Sequence, residues 1–134
     1  MENLYQDNYL EITYEQEKKQ IVSKWFLPFS AKDEDFKQRM LIFADWVEKK
    51  NPECVYTDVS ATHYILVPEI QDWVNGFLPK IYKQVGLKKL AVLANKDFLT
   101  QMALEQSIKD DEEAAYITRY FDNESDVNTW LGEA

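Results

Sequence analysis

A chain of 134 residues is the size of one domain, and 46% hydrophobic residues, with 4 Trp, 8 Tyr and 7 Phe, can build a core without staples. Its 24 acidic against 15 basic residues give a formal charge of −9, which excludes a nucleic-acid binder and adsorption to anionic lipid, since both need clustered basic side chains. A single Cys (Cys54) excludes an internal disulfide and a Cys-rich metal cluster, and a single His (His63) excludes a multi-His site within one chain.

The acidic start Met1-Glu2-Asn3 is unlike the basic start of a secretory signal, and no segment approaches the roughly 20 apolar residues of a membrane span. A cytoplasmic protein without stable membrane insertion is the expectation. Residues Glu2-Asn3-Leu4-Tyr5-Gln6 carry no argument about the fold. With only 3 Gly, no repeat and no Gly/Ser linker, residues 1–134 form one domain.

Two alternating runs come first. In Tyr9–Tyr14, Leu10, Ile12 and Tyr14 share a face, and in Gln20–Phe26 Ile21, Ser23 and Trp25 do so. The polar Glu15-Gln16-Glu17-Lys18-Lys19 between them suits a hairpin loop longer than a two-residue turn. A loop with Pro28 and Ser30 leads to an amphipathic helix over about Asp33 to Lys50, where Phe36, Met40, Phe43 and Val47 recur at helical spacing. Its acidic first turn and basic last turn match the helix dipole, and Asn51-Pro52 ends it.

Cys54–Val59 reads as a short strand and Ser60–His63 as a loop, which Tyr64–Val67 either extends or follows as a short extended piece. Pro68 suits the first turn of a second helix, Glu69 to Val85, kinked at Pro79 and closed by Gly86 in a left-handed cap. Lys89–Ala94 is apolar enough for a central strand. A third helix runs from a cap at Asn95 or Asp97 to about Ile108, and the acidic Asp110–Glu113 makes a solvated loop. Tyr116–Phe121 is a last strand, and Asn123 caps a fourth helix with Val127, Trp130 and Leu131 inward. The order β-β-α-β-α-β-α-β-α predicts an α/β fold: an N-terminal hairpin, then β-α units, in a mixed, mostly parallel sheet of four or five strands with four helices.

No catalytic constellation emerges. Ser60 and His63 lie three apart without a Gly-x-Ser-x-Gly elbow, and Cys54 opens an apolar strand as a small hydrophobe does. Glu69 and Asp72 share a face of a helix's first turn, which dipole complementarity explains. Asp110–Glu113 has neither the alternating spacing nor the glycine of a calcium loop, and no Gly-rich phosphate turn is present. No metal and no cofactor are expected. Asp58 falls at the C-terminal end of a strand, where open α/β sheets collect ligands. The candidate ligand-binding residues there are Asp58, Ser60, His63 and Asn95. The simpler role for Asp58 is an Asx turn with the following loop.

Asp58-Val59-Ser60 after a strand, Pro68-Glu69-Ile70-Gln71-Asp72-Trp73 opening a helix, Pro79, Gly86, Lys88-Lys89-Leu90-Ala91-Val92, and Arg119-Tyr120-Phe121-Asp122 ahead of Trp130-Leu131 together resemble the SpoIIAA-like (STAS-related) small domains. The resemblance covers about Tyr9 to Leu131. It implies a four- or five-stranded sheet in a β-α superhelical winding and a non-enzymatic role through protein partners or ligand-dependent switching. Anti-sigma antagonists of this type carry a phosphorylated serine at a helix start, where this chain has Val67-Pro68-Glu69 and no hydroxyl. The wider group is also similar to lipid-carrying SEC14-type domains, although the extra helices that enclose a lipid are missing here. The expectation is therefore a non-catalytic regulatory or interaction domain with a protein partner or homodimer. The alternative is a small-molecule or lipid-binding module with its pocket at the strand C-terminal ends.

Overall fold

Six strands in the order of the chain make one mixed sheet in the computed structural model, which describes residues 1–96 and 115–132. The elements are β1 (Glu2–Gln6), β2 (Leu10–Glu15), β3 (Gln20–Trp25), α1 (Asp33–Lys50), β4 (Cys54–Asp58), α2 (Pro68–Asn75), α3 (Leu78–Val85), β5 (Lys89–Leu93), β6 (Ile117–Phe121) and α4 (Glu124–Leu131). β1, β2 and β3 form an antiparallel meander, and β3 to β6 are parallel. The third expected helix, to Ile108, and the Asp110–Glu113 segment lie outside the described residues.

The sheet exceeds the expected four or five strands because residues 2–6 add a strand. β1 lies along β2 with a register shift between Asn3 and Tyr5, so that Leu4 and Tyr5 both reach the core. Asp7 fixes the turn that follows. Its carboxylate accepts the backbone N–H groups of Tyr9 (2.7 Å) and Leu10 (2.9 Å), the Nε–H of Arg39 (3.0 Å) and the Tyr5 hydroxyl. Arg39 also lies 4.8 Å from the centre of the Tyr9 ring, which ties the β1–β2 turn to α1.

Period-two alternation sends alternate residues of each strand to opposite faces. On one face Leu10, Ile12, Ile21, Trp25 and Val55 are fully or almost fully buried beneath Phe36, Phe43 and Val47 of α1, with Ile70, Leu78 and Tyr82 of α2 and α3. Ser23 is entirely enclosed there; its hydroxyl accepts the Trp25 indole N–H at 3.1 Å, so the buried polar pair is satisfied. On the other face Val22, Tyr56, Ala91 and Leu93 pack against Val127 and Trp130 of α4. α4 contacts β5 and β6, and leaves the same face of β2 and β3 uncovered by any described element.

Helix ends follow the sequence closely. The Asp35 carboxylate accepts the Lys32 backbone N–H at the start of α1 (3.0 Å), and Asn51 ends it in the left-handed region at φ 48°. Gly86 closes α3 at φ 79°, and Asn123 Oδ1 accepts the Asp126 N–H at 2.9 Å to open α4. The expected single helix from Glu69 to Val85 is instead two, α2 and α3, separated at Gly76 and Phe77. The reason is Pro79. It cannot donate an intrahelical bond and its ring collides with the carbonyl four residues back, so it occupies the first turn of a new helix instead of kinking an old one.

Candidate functional site

The loops at the C-terminal ends of β3 and β4 were the expected site, and they form one interlocked platform. The Leu27 carbonyl accepts the backbone N–H groups of His63 (2.8 Å) and Tyr64 (3.1 Å), and the Thr62 hydroxyl donates to the Trp25 carbonyl at 2.7 Å. Tyr64 stacks on Phe36 of α1, with ring centres 5.4 Å apart, and donates its hydroxyl to Asp33. Burial and that bond to Asp33 push the Tyr64 phenol well above its ordinary pKa, so it remains a donor.

The four expected ligand residues do not converge. Ser60 donates both its hydroxyl (2.6 Å) and its backbone N–H (2.9 Å) to Asp58 Oδ1, which is the Asx-turn arrangement. Among the described residues no hydrogen bond joins Ser60 to His63, whose ring instead stacks on Phe29 at 5.7 Å. Asn95, half-buried, follows β5. A serine that gives its proton to a carboxylate in its own turn, with the one imidazole stacked elsewhere, has the parts of a nucleophile but not the arrangement. Glu69 and Asp72 are both exposed on α2, and no group of three or more acidic, His or Cys side chains suited to a metal occurs among the described residues.

The platform does present an apolar stripe. From Thr62 to Val67 the chain is extended without sheet partners, and its side chains alternate: Thr62, Tyr64 and Leu66 turn in, while His63, Ile65 and Val67 turn out. Phe29 is 73% exposed, Ile65 66% and Val67 41%. Together they leave roughly 300 Å² of apolar surface in water, the size of patch that marks interaction surfaces. The sequence already contained this alternation, but an extended loop segment and a buried edge strand have the same pattern. Only the packing of Tyr64 and Leu66 reveals which side is free.

Two cavities, of about 490 and 420 Å³, lie elsewhere, on the α4 face of the sheet. The residues that shape them, Gln20 and Tyr56 above all, are conventional strand residues in the sequence. None of Asp58, Ser60, His63 or Asn95 lines either cavity.

Compared with family models, curated proteins and solved structures, the chain matches none of them. No helix among the described residues is long and apolar enough to cross a membrane.

Proposed function

We propose that this domain is a non-catalytic interaction module of the SpoIIAA-like kind that self-associates through the stripe of Phe29, His63, Ile65 and Val67. The observation that supports this reading is the exposure of three large apolar side chains on loops that backbone hydrogen bonds and a Tyr64–Phe36 stack hold rigid. Apolar groups left in water on mobile loops could fold back onto the core. On a pinned platform they are withheld from it, and burial against a second surface is the favourable outcome left to them.

The stripe contains no acidic or basic group apart from the His63 imidazole, so two copies of a −9 chain can meet there without placing carboxylates face to face. Pairing two stripes of this size gives an interface at the small end of the range, below about 1,200 Å² in total, which corresponds to a reversible dimer and not an obligate one. The Asx turn at Asp58 and Ser60 rigidifies the neighbouring loop and has no chemical role in this reading.

Sedimentation velocity across a micromolar-to-millimolar concentration series tests the proposal. The expected result is a concentration-dependent monomer–dimer equilibrium that Ile65→Asp abolishes with an unchanged melting temperature, because Ile65 makes little contact in the monomer. A wild-type chain that remains monomeric across the series would refute it, as would an Ile65→Asp variant that dimerises as well as wild type.

A further inference from the structure

The open part of the α4 face carries a second, unrelated feature. In-register pairing sets its side chains in rows across the strands: Glu15, Gln20, Cys54 and Lys89 in one row, Thr13, Val22, Tyr56 and Ala91 in the next, Glu11, Lys24, Asp58 and Leu93 in the third. α4 stands over one side of this grid, and the groove between it and β2–β3 consists of the two cavities. They meet at Lys18, Gln20 and Asn128, which line both.

Gln20 is 8% exposed and Tyr56 4%, and both line the groove. Among the described residues, neither makes a hydrogen bond through its side chain. No fully enclosed polar side-chain atom lacks a partner there, so the Gln20 amide and the Tyr56 hydroxyl open onto the groove. Buried polar groups are normally paired, and two in one groove without a protein partner indicate where a polar ligand binds.

The charges specify its class. The cavity at the Glu11 end is lined by three glutamates, Glu11, Glu15 and Glu124, against Lys18 and Lys24. The cavity at the Cys54 end is lined by Lys18, Lys88 and Lys89 against Glu53 alone. The groove is thus acidic at one end and basic at the other. Lys24 and Gln20 mark these ends on β3, four residues apart, which corresponds to about 13 Å of strand.

We propose that this groove binds an extended zwitterion of that length, a short peptide of three or four residues with free termini. Its ammonium end lies toward Glu11 and Glu124 and its carboxylate toward Lys18 and Lys88. Its amides take the bonds that Gln20 and Tyr56 leave open. No step of this argument uses the stripe of Phe29 and Ile65.

Isothermal titration calorimetry of the full chain with tetraglycine tests the inference, beside the same peptide acetylated at its N-terminus and amidated at its C-terminus. Tetraglycine is expected to bind, and removal of its two charges should weaken binding by at least about tenfold. Gln20→Leu, which fills the same space without an amide, and Tyr56→Phe should each weaken it several-fold at unchanged melting temperature. Should Gln20→Leu fail to fold, Tyr56→Phe and the capped peptide decide the question. Ile65→Asp should bind tetraglycine as wild type does. Absence of binding up to the solubility limit, equal binding of the capped peptide, or undiminished binding by a folded Gln20→Leu together with Tyr56→Phe would overturn the proposal.

Discussion

Replacing Asp7 tests whether one carboxylate fastens the first strand to the rest of the sheet. Asp7 accepts four hydrogen bonds: two from the backbone of its own turn, one from Tyr5 and one from Arg39, whose side chain is 18% exposed against 23% for Asp7. Hydrogen bonds to a charged group contribute about 1.5–3 kcal/mol each, discounted here for partial exposure and for the water that replaces them, so Asp7→Ala should cost about 2–4 kcal/mol. Asp7→Asn retains an oxygen for the Tyr9 and Leu10 N–H groups and loses only the ionic attraction to Arg39, so it should cost about 1 kcal/mol.

The acid dependence has a definite sign. Burial alone would raise the Asp7 pKa, but the bonds from Tyr5, Tyr9 and Leu10 and the charge of Arg39 outweigh it and hold the carboxyl below its ordinary 3.8. A carboxyl with a depressed folded pKa contributes stability that is complete above the unfolded value and is lost as pH falls through the folded one. Urea unfolding of wild type and Asp7→Asn should therefore differ by a constant amount above pH 3.8 and converge below it. An Asp7→Ala variant within about 0.5 kcal/mol of wild type would refute the reasoning, as would an Asp7→Asn variant as unstable as Asp7→Ala.

A Cβ at Gly86 meets nothing within 4 Å, so Gly86→Ala should lose about 1–2 kcal/mol from the φ of 79° alone, seen as a lower melting temperature with no change in the near-ultraviolet spectrum. Val127 is fully buried between α4 and the sheet; Val127→Ala should cost roughly 2 kcal/mol and speed amide exchange in α4 before α1. Burial pushes the Cys54 thiol up, with Lys89 opposing weakly, so at neutral pH it should react with a disulfide reagent much more slowly than free cysteine until the chain is unfolded.

Where local rules suffice, the sequence alone determined the outcome. The alternation of Leu10, Ile12 and Tyr14, the helical spacing of Phe36, Met40, Phe43 and Val47, the Asn51 and Gly86 left-handed caps and the Asn123 cap are all consequences of a residue and its near neighbours. Tertiary structure decided what depends on a distant partner. Residues 2–6 have too little apolar periodicity to announce a strand, and β1 exists because β2 offers an edge and Asp7 closes the turn with Arg39, 32 residues away. The same holds for the surfaces. Ile65 and Val67 look like core until Tyr64 and Leu66 take the inward places, and Gln20 looks like an ordinary strand residue until α4 roofs half the face above it. A side chain's chemistry is local, but whether it is buried, paired or free is set by whatever the fold lays against it.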